Sequence, residues 1–318
     1  MFAAASQKGI DASIADSAWL DTTRAEFRRE YTNRIEEAFG ASLHSARFSL
    51  QDKVSAEINA WISGATHGKI RQAVKPADFT SRSSPGIIDE PALVVVNAAY
   101  FKADWSRRFE RRGTSNRPFH LDSTVAEKVP TLHQHTLLPY AENEHFRFLG
   151  IPYAGNTFSM YVVLPRQVLA ITNLMALLAT NTVAELKKNA FLHEVDVLLP
   201  KFALGVHLGV KDALTFMGVK SAFDRQAADF DGMIAKKNEA FRIYISEIYH
   251  DSWIDVREEG TEAAAATATT HFSTGCSARP READFHADHP FLFLIVHNQS
   301  QSILFAGWIG NPKGLAQA

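Results

Sequence analysis

Alternating and continuous hydrophobic runs predict a chain dominated by β-strands. Each run is rich in β-branched and aromatic residues, the side chains that strands favour. The predicted strands cover residues 15–20, 93–100, 157–165, 195–202, 242–256, 290–298 and 302–309. The strand at 93–100 is apolar on both faces, which is typical of a central strand covered on each side. The pattern indicates an α+β fold class.

Helical spacing is limited to shorter segments. In residues 24–39 an apolar residue recurs every four positions from Phe27 to Phe39, and Gly40 predicts the end of this helix. Residues 54–63 have a second amphipathic pattern. Further short helices are predicted at 173–178, 183–190 and 210–217. Residues 78–89 predict a polar loop, and 119–152 predict short strand pieces separated by polar turns.

Length and charge narrow the class of protein. The chain has 318 residues and a net charge of −2, which gives no electrostatic basis for binding nucleic acid or an anionic membrane. No linker rich in Pro, Gly or Ser divides it, so we expect one domain over residues 1–318, and a monomer. The single cysteine, Cys276, excludes an internal disulfide.

Few residues suggest catalysis or metal binding. The motifs G-x-S-x-G and H-E-x-x-H and a phosphate-binding glycine loop do not occur, so we expect no enzyme. The pairs His133/His135 and His286/His289 could each provide two metal ligands, but neither pair has an evident third. We therefore expect structural or solvated histidines, no metal and no cofactor.

Residues 258–270, EEGTEAAAATATT, contain no large side chain. Alanines favour a helix and threonines a strand, so local propensity does not decide the structure of this segment. Composition alone is equally consistent with a low-complexity linker and with a functional element.

Four other blocks decide between these interpretations. They are LVVVNAAYFKADW at 93–105, VDVLLPKF at 195–202, FHADHPFLFLI at 285–295 and SILFAGWIGNP at 302–312. Together with EEGTEAAAAT they resemble the serpin family, in the family's order from about residue 14 to 312. The resemblance implies a multi-sheet serpin fold with a mobile reactive-centre loop over about 258–284.

The resemblance also implies a function, inhibition of a serine-type protease by a suicide-substrate mechanism. The protease cleaves the loop, which then inserts into the main sheet as a strand. The implied hinge comprises Glu258, Glu259, Gly260, Thr261, Glu262, Ala263, Ala264, Ala265 and Ala266. Thr261, Ala263, Ala265, Thr267 and Thr269 would face inward with period two. The alternatives are a non-inhibitory serpin-fold protein and an inactive truncated product.

A sheet switch is implied by the same resemblance. Asn97 and His250 match a pair near the sheet centre, and Trp105, Lys201 and Glu258 match a group at its upper end. Two residues depart from the family pattern. Ala103 replaces the usual glycine, and Arg257 replaces a smaller polar residue.

Two counts place the reactive bond differently. Counting forward from the hinge gives Thr274-Gly275, and counting back from the C-terminal block gives Arg279-Pro280. We favour the forward count because the sheet sets the length of the inserted strand. A target protease of elastase-like or chymotrypsin-like specificity is then favoured, with a trypsin-like enzyme left open.

The N-terminal region differs from the family pattern. Serpins begin with several helices behind the main sheet, and these helices precede the strand that matches residues 14–20. We therefore expect a truncated domain with an apolar face of 93–100 uncovered. The family implies an extracellular location, whereas residues 1–8 lack a secretory signal and leave the cytoplasm open.

Overall fold

A computed structural model describes residues 5–7, 9–80, 82–84, 87–89, 91–168, 182–238, 242–261 and 280–313. Its α-helices are α1 (Arg29–Phe39), α2 (Gln51–Ala65), α3 (Thr182–Lys188) and α4 (Lys211–Phe216). Its strands are β1 (Ala5–Gln7), β2 (Ile10–Asp21), β3 (Ala25–Phe27), β4 (Ser42–Ala46), β5 (Arg82–Ser84), β6 (Ile87–Asp89), β7 (Leu93–Asp104), β8 (Ser115–His120), β9 (Ala126–Glu142), β10 (Phe146–Pro152), β11 (Phe158–Pro165), β12 (Phe191–Pro200), β13 (Phe202–Gly209), β14 (Ile234–Lys237), β15 (Ile245–Val256), β16 (Gly260–Thr261), β17 (Glu282–His286), β18 (Phe291–His297) and β19 (Ile303–Ile309).

A seven-stranded sheet has the order β1-β2-β7-β16-β15-β13, with β4 paired to β2. Its two central strands, β7 and β15, run parallel and pair directly from Leu93 to Tyr100. Beyond that stretch the two-residue strand β16 lies between them and is antiparallel to both. The sheet therefore changes from one central ladder to two ladders along its length.

An eight-stranded sheet has the order β17-β12-β9-β10-β11-β18-β19, with β8 paired to β9. Its edge strand β17 is parallel to β12, whereas the other neighbours are antiparallel. Two short two-stranded ladders, β14-β3 and β5-β6, complete the pairing among the described residues.

Aromatic side chains fill the space between the two sheets. Phe101 from β7 contacts Tyr153 and Phe158 edge-on, with ring centroids 5.1 and 5.4 Å apart. On the other face of the seven-stranded sheet, Ile58 and Ile62 of α2 pack on Val96. Burying each of these aliphatic side chains contributes about 1.5–3 kcal/mol. The sheet is thus covered by α2 on one side and by the second sheet on the other.

The predicted α+β class is confirmed. Each predicted strand overlaps an observed strand, 195–202 spans the end of β12 and the start of β13, and the helix predicted at 54–63 lies within α2. The predicted start of the helix at residue 24 is wrong, because α1 begins at Arg29. Residues 25–27 instead pair with β14, with Phe27 opposite Ile234. Pairing with the distant strand β14 therefore decides the structure of these residues, not their helical spacing. Gly40 ends the helix as predicted, and it has the left-handed conformation.

Three further predictions differ from the structure, and a fourth falls outside the described residues. Residues 78–89 include the short strands β5 and β6, and 126–142 form one continuous strand rather than several pieces. The helix predicted at 173–178 lies outside the described residues. Residues 93–100 are buried except for the half-buried Val95 and Asn97, so the expected uncovered apolar face is not seen.

Among the described residues, the helices are too short or too polar to cross a membrane.

Candidate functional site

The chain reverses direction directly after β15. Residues 257–259 form the turn, which is closed by the Arg257 amide donating to the Gly260 carbonyl at 2.8 Å. Thr261 then pairs with Val256 on one side and with Ala103 on the other. Residues Gly260–Thr261 therefore form a short strand inside the sheet.

Gly260 packs directly against the backbone of β7. A Cβ atom at this position would lie 2.1 Å from the carbonyl oxygen of Ala103 and 2.6 Å from the Cα of Asp104. Both are backbone atoms that cannot rotate away, so only glycine fits at this point of entry.

Thr261 is fully buried, with an exposed fraction of 0%. Its Oγ1 lies 2.7 Å from the hydroxyl oxygen of Tyr153, which is buried as well. Burial raises the pKa of Tyr153, so the phenol keeps its proton near neutral pH and can donate it. The Tyr153 ring stacks on Trp105 at 4.5 Å, which fixes the direction of the hydroxyl.

Glu258 anchors the turn on its outer side. Lys201 Nζ lies 2.9 and 3.0 Å from the two carboxylate oxygens, and the Thr114 hydroxyl donates to one of them at 2.9 Å. Burial would raise the pKa of Glu258, but the hydrogen bonds, that from Lys201 first, outweigh it and hold this pKa below its ordinary value of 4.5. Glu258 is therefore a carboxylate near neutral pH.

Backbone and side-chain bonds fix the rest of the turn. The Trp105 amide donates to the Glu259 carbonyl, and the Trp105 indole donates to the Arg257 carbonyl, each at 2.9 Å. Arg111 Nε donates to the Glu259 carboxylate at 2.9 Å. The Arg257 side chain pairs with Asp255.

A second polar pair lies further along the sheet, where β7 and β15 pair directly. Asn97 and His250 are opposite each other in the ladder, and the Asn97 Oδ1 lies 2.6 Å from the His250 Nδ1. Asn97 also donates from Nδ2 to Asp16 at 2.8 Å. These bonds link three neighbouring strands across the centre of the sheet.

The structure thus brings together Lys201 with Glu258 and Asn97 with His250, and it places Trp105 against the turn. The predicted hinge residues from Glu262 to Ala266 lie outside the described residues, as do Thr274, Gly275 and Arg279. Pro280 is exposed and precedes β17, which begins at Glu282. Residues 282–284, which the predicted loop bounds of about 258–284 include, belong to β17, where Glu282 pairs with Glu194.

Sequence reasoning missed Tyr153, Thr114 and Arg111. Tyr153 lies 108 residues from Thr261 in the chain, and no local pattern marks it as a partner of the hinge.

The sequence profile described as Serpin (serine protease inhibitor) matches residues 2–312. The chain belongs to the serpin family. Leukocyte elastase inhibitor of Homo sapiens is 35% identical over 296 residues, which cover 90% of this serpin and 74% of that protein. The protein of the same name from Xenopus laevis is 34% identical over 294 residues, with the same coverage.

Solved structures agree on the fold. Serpin48 of Tenebrio molitor has a TM-score of 0.80 at 28% identity, covering 96% of this serpin and 77% of that chain. Thyroxine-binding globulin in complex with thyroxine also has a TM-score of 0.80, at 23% identity, covering 97% and 77%. The second likeness shows the fold alone. The predicted family and serpin fold are confirmed.

The Tyr153–Thr261 bond can be measured by a double-mutant cycle. Tyr153→Phe and Thr261→Val each leave one buried hydroxyl without its partner and should each lower the free energy of unfolding by about 1–3 kcal/mol. The double variant should lose clearly less than the sum, because neither hydroxyl remains. Urea denaturation measures all four proteins. Tyr153→Phe combined with Thr124→Val, whose hydroxyl bonds Asp122, should be additive; additivity in the main cycle would contradict the bond.

Acid should weaken the turn through Glu258. A carboxyl whose folded pKa is lowered contributes stability above its unfolded pKa, and that stability is lost as the pH falls through the folded pKa. Between pH 5 and 3 the native serpin should therefore lose more stability than Glu258→Gln, measured by urea denaturation at each pH. Glu144→Gln, at an exposed glutamate, should follow the native profile. Parallel profiles for the native protein and Glu258→Gln would contradict the assignment.

Proposed function

We propose that this serpin inhibits a serine protease as a suicide substrate, through a loop that starts at about Glu258 and ends at Arg281. The protease cleaves the loop, and the N-terminal part of the loop inserts between β7 and β15. One observation carries this proposal. Gly260 and Thr261 lie between those two strands and are antiparallel to both.

The number of backbone hydrogen bonds in the sheet favours continued insertion. Below β16, the strands β7 and β15 share one ladder along residues 93–100. An inserted strand would replace that ladder with two, one to each neighbour, so the exchange adds a ladder in the interior of the sheet. The bond between Asn97 and His250 spans the same line and must break as the sheet opens. These two residues therefore act as the switch in the proposal.

The segment after Thr261 suits the inserted strand. Its inward positions with period two are alanine or threonine, namely Ala263, Ala265, Thr267 and Thr269. A charged side chain at any of them would enter the sheet without a partner, at a cost of several kcal/mol.

We propose Thr274-Gly275 as the reactive bond. Arg279-Pro280 is disfavoured by its proline, which most serine proteases accept poorly after the cleaved bond. The peptide bond after Arg281 lies at the edge of the eight-stranded sheet, where the Arg281 carbonyl accepts a hydrogen bond from the Glu194 amide at 2.9 Å. Cleavage further from β17 requires no disruption of this edge.

The proposed partner is a protease with an elastase-like or chymotrypsin-like pocket, bound by a monomer of this serpin. A small Thr274 fits such a pocket, and the relatives named leukocyte elastase inhibitor support it. Arg279 and Arg281 would fit a trypsin-like enzyme instead. The names of these relatives do not support the extracellular location expected from the family.

Thr261→Arg tests the mechanism. Arginine at this fully buried position cannot enter between β7 and β15, so insertion should stall and the inhibitor should become a substrate. Native protein incubated with elastase-like, chymotrypsin-like and trypsin-like proteases should form an SDS-resistant covalent complex with one of them. The variant should be cleaved at the same bond and form less than about a tenth of the complex, equivalent to about 1.4 kcal/mol.

Thr261→Ser is the matched control, because it keeps the hydroxyl that bonds Tyr153 and should keep the complex. Mass spectrometry of the released peptide locates the bond. A fragment that begins at Gly275 supports the forward count, and one that begins at Pro280 or Glu282 contradicts it. An undiminished complex in Thr261→Arg would contradict loop insertion. A native protein that is cleaved by the whole panel without any complex would indicate the non-inhibitory alternative.

A further inference from the structure

Imidazole and carboxylate groups meet on the outer face of the eight-stranded sheet, at its edge. Three neighbouring strands contribute, β9, β12 and β17. On β12 the side chains alternate, so the buried Val195 and Val197 enter the core and Asp196 points outward. Asp284 on β17 is directly opposite Asp196. The outward positions of these strands therefore form one polar cluster.

Two histidines approach Asp196 from opposite sides. His133 of β9 places Nε2 2.7 Å from Oδ1, and His286 of β17 places Nε2 2.9 Å from Oδ2. Ligand atoms of Asp196, Asp284 and His286 all lie within 4.8 Å of one another. Each histidine pair in the sequence lacked a third ligand, and the sheet provides it by joining one member of each pair to the same carboxylate.

The second members of the two pairs have different surroundings. His289 has both ring nitrogens engaged, Nδ1 with Asp288 at 2.7 Å and Nε2 with the Pro165 carbonyl at 2.6 Å. His135 is exposed and lies opposite Asp196 on β9. Only His133 and His286 therefore have an Nε2 directed at the shared carboxylate.

This donor set suits a divalent transition metal, with Zn²⁺ the best match. Zinc binds imidazole nitrogen and carboxylate oxygen at about 2.0–2.2 Å, so four tetrahedral ligand atoms would lie about 3.3–3.6 Å apart. Asp196, Asp284 and His286 already lie within 4.8 Å of one another, whereas His133 contacts Asp196 but lies outside that group, so its imidazole would have to turn towards the ion. The side chains of His133, Asp196 and His286 are 34–37% exposed, so an ion can enter from solvent.

Asp196 is available as a charged ligand. Each of its carboxylate oxygens lies within hydrogen-bond distance of one imidazole nitrogen, Oδ1 near His133 and Oδ2 near His286. A metal ion bound here would take the place of the protons shared between the imidazoles and this carboxylate, and it would bond directly to the imidazole nitrogens and the carboxylate oxygens.

We propose that His133, Asp196, Asp284 and His286 form a zinc-binding site. The site would connect β17 to β12 and, through His133, to β9. Within the described part of the chain β17 is an edge strand whose only ladder is to β12, and in the sequence it comes shortly after residues 262–279. Bound zinc would therefore fasten the strand at the distal end of the loop to the body of the sheet.

Isothermal titration of the metal-free full chain with Zn²⁺ tests the proposal. One ion should bind per chain, and saturating Zn²⁺ should raise the thermal transition. His133→Gln and His286→Gln should each weaken binding at least tenfold and abolish the thermal shift. Asp284→Asn, at an exposed position, is a milder variant that should weaken binding without disturbing the fold.

Two controls exclude adventitious binding. His145→Gln removes an exposed histidine that lies between β9 and β10 and outside the cluster, and Cys276→Ser removes the only thiol. Both should bind zinc as the native protein does, and far-UV circular dichroism without metal should show that every variant is folded. Native affinity in folded His133→Gln and His286→Gln, an equal loss in a control, or no stoichiometric uptake by native protein would overturn the proposal and leave a hydrogen-bonded histidine–aspartate cluster.

Discussion

The close contact between Gly260 and β7 determines how the short strand Gly260–Thr261 enters the sheet. With the Ala103 carbonyl oxygen 2.1 Å from the position that a Cβ would occupy, the two backbones touch and no other residue could enter here. Ala103 is itself fully buried, so its strand cannot move away without disturbing the core between the sheets. Thr261 directly follows Gly260, so the burial of Thr261 and its bond to Tyr153 depend on this contact.

Polar groups from distant parts of the chain determine the direction in which the loop leaves β15. Lys201, Thr114 and Arg111 hold the two glutamates of the turn, while Trp105 binds its carbonyl groups. Further along the same pair of strands, the Asn97–His250 bond keeps β7 and β15 together. Insertion would separate β7 and β15 beyond β16, along the stretch where the two strands now pair directly. In the proposal the bonds of the turn favour insertion, whereas the Asn97–His250 bond opposes it.

Much of the fold follows from local spacing, because strands such as β7 and β12 bury runs of apolar side chains. Local spacing failed where pairing between distant residues decided the outcome. Phe27 has the spacing of a helical residue, yet it pairs with Ile234 in a ladder. The bond between Tyr153 and Thr261 has no sequence signal for the same reason.

The histidine cluster is a second feature that local sequence spacing does not predict. His133 and His286 belong to pairs that are far apart in the sequence, and only the order β9-β12-β17 brings both to Asp196. The hinge motif was recognisable from its small residues, but the reason that Gly260 must be glycine became visible only with the position of Ala103. Composition identifies a segment that fits a sheet, whereas its point of entry depends on tertiary structure.

The most direct test of the central claim is the thermal transition of the serpin before and after a single cleavage within residues 262–279. If the freed segment continues from Thr261 between β7 and β15, it gains hydrogen bonds to both strands. The cleaved protein should then unfold at a clearly higher temperature than the intact one. An unchanged or lower transition, in a cleaved sample shown by mass spectrometry to retain both fragments, would contradict insertion between these strands.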